Sequence, residues 1–150
     1  MRLIVAIALI VHTAPVQAVS AFVSRVVDGD TVKVEVHGDL ESVRLLCIDS
    51  PESNQDYGRE AEEYLREMIE GKWVELDIED RDRYGRILAF IQYNSRDVNE
   101  NLVSRGLAWN YEYYCEDKYA GAQEKARMQG IGLWSLDNPI PPWVWRRNKL

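Results

Sequence analysis

The 150-residue chain has 25 acidic and 18 basic residues, a formal net charge of −7, and 46% hydrophobic residues. This length and hydrophobic content suit one domain with a hydrophobic core, and the chain is short for two domains. An acidic chain repels polyanions overall, so a nucleic-acid-binding function would require a local basic patch.

The N-terminus has the pattern of a secretory signal peptide. Arg2 precedes an unbroken apolar run over residues 3–11, and residues 16–18 (VQA) form a small-residue cleavage pattern. The run is shorter than the roughly 20 apolar residues that a membrane span needs. We therefore predict a cleaved leader at residues 1–18 and a protein secreted to the periplasm or the medium, without a membrane anchor. Pro15, just before the predicted cleavage site, disfavours the alternative of an uncleaved anchor.

Three strands joined by short turns are predicted after the leader. An Asp-Gly hairpin signal separates residues 21–27 from residues 31–36, and residues 31–36 alternate strictly between apolar and polar. The third strand runs from Arg44 to Pro51, where it must stop because proline cannot donate to a β-ladder. Strand alternation places Arg44 and Leu46 on one face of it, and Leu45 and Cys47 on the other.

Two further strands and three helices follow. The predicted strands are residues 73–79 and residues 87–93, of which the second is nearly continuously apolar and so buried on both faces. The predicted helices are residues 57–69, ended by Gly71; residues 98–105, opened by a capping box at Asp97 and Glu100 and ended by Gly106; and residues 119–128, ended by Gly130. This order predicts an α+β fold over residues 19–137: a five-stranded OB-type Greek-key β-barrel with three α-helices.

The C-terminal tail, residues 138–150, is rich in proline and tryptophan. The proline content predicts an extended segment packed on the domain. Trp143, Trp145, Arg146 and Arg147 have two interpretations that the sequence leaves open. They cap an open end of the barrel, which we favour for the tryptophans because exposed tryptophan pairs are unusual without a partner, or they form a basic and aromatic handle for a substrate or a cell surface.

The chain contains two cysteines, Cys47 and Cys115. Export would permit a disulfide between them. Cys47 lies in an apolar predicted strand, where an unpaired cysteine behaves as a small buried hydrophobe. The sequence therefore leaves the bridge open, and free thiols are the favoured interpretation.

Charged residues gather at the ends of the predicted strands. Asp30 begins the second strand, and Asp49 and Glu52 follow the third, so the meander can bring the three carboxylates together. Such carboxylates repel one another, and a hard cation such as Ca²⁺ would relieve the repulsion. Arg44 and Arg86 extend the pattern, because guanidinium groups and a metal together bind the oxygens of a phosphodiester. Each arginine taken alone is more simply explained as a surface ion pair.

Several motifs, in order and at sensible spacing, resemble those of the staphylococcal nuclease (thermonuclease) family. They are residues 27–32 (VDGDTV), 44–52 (RLLCIDSPE) and 82–86 (DRYGR), with later similarities at residues 98–109 and 132–134. The resemblance runs from about residue 23 to residue 135. It implies a Ca²⁺-dependent nuclease that hydrolyses both DNA and RNA, prefers single strands or frayed ends, and leaves 3′-phosphates. We further expect a monomer.

The resemblance also implies roles for individual residues on the metal side of the site. Asp30 and Asp49 would ligate Ca²⁺ through their carboxylates, and Ser50 through its backbone carbonyl. Glu52 would hold or activate the attacking water as general base. Ser50 stands where thermonuclease has threonine, a change that a carbonyl ligand should tolerate.

On the phosphate side, the resemblance implies that Arg44 and Arg86 bind the scissile phosphate and its transition state. Arg83 and Tyr84 match positions that contact the phosphate end of the nucleotide. Tyr114 matches a tyrosine that lies against the nucleotide.

Two alternatives of other classes remain at the level of the sequence. A non-catalytic OB-fold module could bind single-stranded nucleic acid by stacking bases on aromatic side chains, but it would not need the three carboxylates. An exported Ca²⁺-binding structural protein would not need Arg44 and Arg86 beside them.

Overall fold

The computed structural model describes residues 18–148, except for the side chain of Tyr114. The predicted leader, residues 1–18, therefore lies outside the described residues apart from its last one. The elements along the described part of the chain are β1 (Val19–Asp28), β2 (Thr31–Val36), β3 (Asp39–Leu45), β4 (Ile48–Asp49), α1 (Gly58–Ile69), β5 (Trp73–Arg81), β6 (Ile87–Tyr93), β7 (Arg96–Asp97), α2 (Val98–Ser104), β8 (Trp109–Asn110), α3 (Glu112–Cys115), α4 (Ala120–Met128), a 3₁₀ helix (Gly132–Ser135) and α5 (Pro142–Arg147).

A closed β-barrel forms the centre of the molecule. The main sheet has the order β3-β2-β1-β5-β6-β7, with antiparallel neighbours, and β3 also pairs in parallel with β6. That parallel pairing sets Val43 opposite Ile87 and Leu45 opposite Ala89, and it closes the barrel. The predicted OB-type α+β barrel is therefore confirmed. Closure removes the exposed strand edges that an open sheet would present.

The core follows the side-chain alternation of the strands. Val32 and Val34 on β2 are fully buried, and α1 buries Ala61, Leu65 and Ile69 on one face. This face repeats at a helical spacing, so burying it against the barrel stabilises both elements through the removal of apolar surface from water. The helix thereby covers the barrel end at which the first hairpin and the third strand finish.

The third strand is interrupted, so the prediction of one continuous strand was wrong. Cys47 has a left-handed backbone with φ of 66° between β3 and β4, and Leu45, Leu46 and Cys47 are all buried. A left-handed residue breaks the period of two, because it turns the chain out of the extended conformation. The chain then resumes as β4, which pairs with β8 and sets Asp49 opposite Trp109.

Cys47 and Cys115 form a disulfide with a Cα–Cα separation of 5.5 Å. The favoured interpretation of free thiols was therefore wrong. The misplaced strand explains the error: the left-handed turn directs Cys47 toward α3, whereas a continuous strand would have buried it as an ordinary core residue. The bridge fixes the turn between β3 and β4 to the segment that carries β8.

The three predicted helices are present as α1, α2 and α4, and the Asp97 side chain accepts a hydrogen bond from the Glu100 N–H as the capping box predicts. The helices α3 and α5 were not predicted, and an extended tail was wrong for α5. Pro142 occupies the first turn of α5, where a proline is tolerated because its missing N–H would have no helical partner. Across residues 18–148, none of the helices has both the length and the apolar character needed to cross a bilayer.

Candidate active site

A cavity of about 760 Å³ lies at the barrel end where β3 and β4 meet the loop between β5 and β6. Two groups of residues line it. We call the first the carboxylate wall, made of Asp30, Arg44, Asp49, Ser50 and Glu52. We call the second the arginine loop, residues 82–86, of which Asp82, Arg83, Tyr84 and Arg86 line the cavity.

The hairpin turn between β1 and β2 positions Asp30 and Ser50. The Asp30 Oδ2 atom accepts the Ser50 N–H at 2.8 Å, and the Gly29 carbonyl accepts the Ser50 hydroxyl at 2.9 Å. A Cβ atom at Gly29 would lie 2.7 Å from the Ser50 Cβ and 2.8 Å from the Ala61 Cβ. Only glycine therefore lets the hairpin approach this closely, and the approach holds the Asp30 carboxylate beside β4.

Arg44 joins the two aspartates. It lies opposite Thr31 in the β2–β3 ladder, which directs its guanidinium between the ends of two strands. Its Nη1 atom lies 2.8 Å from Asp30 Oδ1, and its Nη2 atom donates to Asp49 Oδ1 at 3.0 Å. These two contacts together orient the guanidinium at the lining of the cavity. The structure thus brings Asp30 and Asp49 together within the span of one guanidinium.

Negative charge is crowded on this wall. Burial, and then the charge of Asp30, raises the pKa of Asp28 from 3.8 to about 6. Burial also raises the pKa of Asp49, although the Arg146 hydrogen bond and the Arg44 charge oppose the shift. Burial alone would lower the pKa of Arg44, but the neighbouring carboxylates of Asp30 and Asp49 raise it. The wall is therefore a place where added positive charge would be stabilised.

Glu52 sits in a turn that is held by its backbone. Its N–H donates to Gln55 Oε1 at 3.1 Å, and its carbonyl accepts the Gln55 N–H at 2.8 Å. A Cβ atom at Gly58 would overlap the Glu52 carbonyl, so glycine is required for α1 to begin this close to the turn. The Glu52 side chain is 38% exposed, which leaves its carboxylate accessible from the cavity.

The arginine loop is organised by Asp82. The Asp82 Oδ1 atom accepts the N–H groups of Tyr84 and Arg86, and Oδ2 accepts Arg86 Nε at 2.7 Å. Burial would raise the pKa of Asp82, but these bonds, that of the Arg86 side chain first, lower it. The Arg83 guanidinium lies 4.8 Å from the Tyr84 ring centre and donates to its hydroxyl. The loop therefore presents two guanidinium groups and one aromatic ring to the cavity.

Comparison with known proteins decides the family of this fold and site. The family model described as staphylococcal nuclease homologue matches residues 42–136. The chain belongs to the staphylococcal nuclease homologue family. The matched range includes all the predicted site residues except Asp30, which the structure places beside Asp49.

Curated relatives agree with this family. The chain is 43% identical over 129 residues to an "Uncharacterized endonuclease" of Escherichia coli, an alignment that covers 85% of the chain and 84% of the relative. It is 40% identical over 129 residues to an "Uncharacterized endonuclease" of Haemophilus influenzae, covering 85% and 72%. It is 37% identical over 137 residues to the "Micrococcal nuclease" of Shigella flexneri, covering 83% and 79%.

In this staphylococcal nuclease homologue, the structure adds a residue that sequence reasoning did not place in the site. Arg146 on α5 donates from Nη2 to Asp49 Oδ2 at 2.8 Å and from Nη1 to Glu52 Oε1 at 2.7 Å. Its hydrogen bonds to these carboxylates, the one to Asp49 first, raise the pKa of Arg146. No sequence signal could have located Arg146, because its distance from Asp49 is set by how the tail packs.

Tyr111, to which the sequence analysis gave no role, also lines the cavity. Its N–H donates to the Cys47 carbonyl at 2.8 Å, so the disulfide-bonded turn positions it. Tyr114 lies in α3, and its side chain is outside the described part of the structure.

The described acidic residues form no ready-made metal cage. Between residues 18 and 148, no group of three or more His, Cys, Asp or Glu side chains is arranged to hold a metal ion. A cation on the carboxylate wall would therefore rest on two aspartates, with other oxygen ligands from the backbone and from water.

Proposed function

We propose that this protein is an exported, Ca²⁺-dependent nuclease that hydrolyses phosphodiester bonds of DNA and RNA, with single strands or frayed ends preferred, and leaves 3′-phosphates. The observation that carries the proposal is the Arg44 guanidinium lying between the buried carboxylates of Asp30 and Asp49, in the cavity that Arg86 also lines. Acids alone would suit a cation, and arginines alone would suit a polyanion. Their combination suits a phosphodiester held together with a cation.

The residues of the carboxylate wall fit a hard cation. Ca²⁺ prefers carboxylate and carbonyl oxygens and accepts water as further ligands. Asp30 and Asp49 would hold it through their carboxylates, and Ser50 through its carbonyl. The burial that raises the pKa of Asp49 reflects a charge that a nearby cation would stabilise. When bound, the cation would polarise a phosphate oxygen and stabilise negative charge there.

Arg44 and Arg86 would bind the non-bridging oxygens of the scissile phosphate. Attack by water gives a pentacoordinate transition state with additional negative charge on those oxygens, so donors placed around them lower the barrier. Arg44 supports this role because Asp30 and Asp49 hold its guanidinium at the lining of the cavity. Arg86 is 32% exposed and uses Nε for Asp82, which leaves the end of its guanidinium for the substrate.

Glu52 would act as the general base. It would accept a proton from the attacking water as the new bond to phosphorus forms and the bond from phosphorus to the 5′ oxygen breaks. The 5′ oxygen takes a proton from solvent, and the phosphate stays on the 3′ side. A partly exposed carboxylate can accept and release protons to solvent in each turnover.

The arginine loop and Tyr111 would help an acidic protein bind a polyanion. The Tyr84 ring is 70% exposed, and an unpaired base can stack on such a ring whereas a paired base cannot. This difference supports the preference for single strands. The Cys47–Cys115 disulfide supports export, since such bridges persist in oxidising compartments.

A digestion of denatured DNA tests the proposal. The wild-type protein should hydrolyse the substrate with Ca²⁺ and stop when a chelator is added, and Glu52→Gln should lose roughly 10² to 10⁴ in turnover. Glu63→Gln is the matched control, since Glu63 is an exposed helical glutamate away from the cavity. Binding of single strands without hydrolysis would instead establish the non-catalytic OB-fold module. Full activity in chelator would remove Ca²⁺ from the proposal.

A further inference from the structure

The C-terminal helix α5 places a third guanidinium on the carboxylate wall. Arg146 binds both oxygens of Asp49, with Nη2 at 2.8 Å from Oδ2 and Nη1 at 3.2 Å from Oδ1. The same Nη1 donates to Glu52 Oε1 at 2.7 Å. A single side chain from the tail thus occupies the proposed cation ligand and the proposed general base together.

The placement of α5 is built into the fold by contacts away from the carboxylates. The Trp143 ring packs against Trp109 at 5.7 Å between centres, in an edge-on arrangement. The Trp145 Nε1 atom donates to Asn54 Oδ1, and Gln55 donates to the carbonyl of Ile140. These contacts hold α5 against β8 through Trp143, and hold α5 and the residue Ile140 before it against the loop that follows Glu52, so Arg146 reaches the wall from an anchored backbone.

Both the charge and the position of Arg146 would oppose the binding of a cation. A cation ligated by Asp49 must lie against the same oxygens that Arg146 occupies. Arg44 already contributes one guanidinium to the wall, so Arg146 removes a further part of the negative charge that attracts a cation. The Arg146 side chain is 45% exposed, which allows it to leave toward solvent without unfolding the helix.

We propose that Arg146 is a latch that competes with the cation for Asp49 and Glu52, so that cation binding and release of Arg146 are one exchange. The latch keeps the cation ligand and the general base paired while the cation is absent, and frees both when the cation binds. This inference rests on the proposed function only for the identity of the cation.

Calorimetric titration with Ca²⁺, without nucleic acid, tests the latch. Arg146→Ala should bind Ca²⁺ about tenfold more tightly than the wild type, because the competing charge is gone. Arg146→Lys should fall between them, since an ammonium keeps the charge but not the paired donation. Arg147→Ala is the matched control: it removes the same charge from the same helix, and Arg147 does not line this cavity.

A second measurement separates an effect on Ca²⁺ binding from an effect on folding stability. The increase in Tm that saturating Ca²⁺ produces should be larger for Arg146→Ala than for Arg147→Ala, whatever their stabilities without the cation. Equal Ca²⁺ affinities for the two variants would overturn the latch while leaving the proposed function intact. Binding by Arg146→Ala alone would support the latch but contradict a Ca²⁺-dependent wild type, and binding by neither wild type nor variant would overturn both.

Discussion

The carboxylate wall and the arginine loop line one cavity, but they are built differently. On the wall, Asp49 is 1% exposed and Arg44 is 17% exposed, and their positions follow from barrel closure and the first hairpin. In the loop, Arg86 is 32% exposed and depends chiefly on one local carboxylate, Asp82. The comparison indicates that the carboxylate wall is preorganised by the core, whereas the arginine loop is held by local contacts.

Arg44→Ala should give the largest effect, because it removes a function and a structural pair at once. Breaking a buried ion pair by removing one partner costs roughly 3–5 kcal/mol of stability. Turnover should also fall by roughly 10² to 10³. Urea unfolding monitored by tryptophan fluorescence and hydrolysis of denatured DNA would measure the two losses. Unchanged stability would show that the wall does not depend on the Arg44 bridge.

Arg86→Ala should separate the loss of turnover from the loss of stability. Turnover should fall by roughly 10² to 10³, as on the wall, because a transition-state donor is lost. The free energy of unfolding should change by less than about 1 kcal/mol, because the Asp82 pair is local and partly exposed. The same two assays apply, with Arg59→Ala on the exposed face of α1 as the control for loss of one charge. Comparable destabilisation by Arg44→Ala and Arg86→Ala would contradict the conclusion that the wall and the loop contribute differently to stability.

The disulfide should stabilise the wall and leave the loop unaffected. It joins Cys47, next to β4, with Cys115, 68 residues later in the chain. Replacing both cysteines by serine should lower stability by roughly 2–5 kcal/mol, since the unfolded chain loses a cross-link. Thermal melts of the wild type with and without reductant provide the same comparison. A wild-type Tm that reductant does not lower would contradict the expected role of the bridge.

Asp28 should give the smallest effect, as a pH dependence of stability. Its pKa is about 6 in the folded protein against a usual value of 3.8, so the folded state binds the proton more tightly. Stability should therefore fall as the pH rises through this window. Asp28→Asn keeps an oxygen acceptor for the Asp30 N–H and removes the titration. In chelator, the Tm of the variant relative to wild type should rise between about pH 4 and about pH 7. A difference in Tm that stays constant over this range would argue against the raised pKa.

Much of the fold was predictable because its signals are local. The alternation over residues 31–36, the apolar face of α1 and the Asp97 cap each depend on residues close in sequence, and each element formed as predicted. The site motifs also carry local information, since Asp49 and Glu52 are separated by only two residues. What the motifs did not provide is the contact set of each residue, such as the sharing of Arg44 between Asp30 and Asp49.

The errors share one physical cause. The left-handed turn at Cys47 and the Cys47–Cys115 bridge both depend on how β4 pairs with β8. No residue near Cys47 in the sequence indicates that pairing. The helical conformation of residues 142–147 likewise accompanies the packing of Trp143 on Trp109, which the proline content could not indicate.

The sequence by itself determined the barrel strands, the three main helices, the family, and the types of residue at the site. These properties follow from periodicity, capping and motif spacing, which act over a few residues. Tertiary structure alone decided the break in the third strand, the disulfide and the position of Arg146 against Asp49 and Glu52. Those features join residues far apart in the chain, and only the closed and packed barrel brings them within bonding distance.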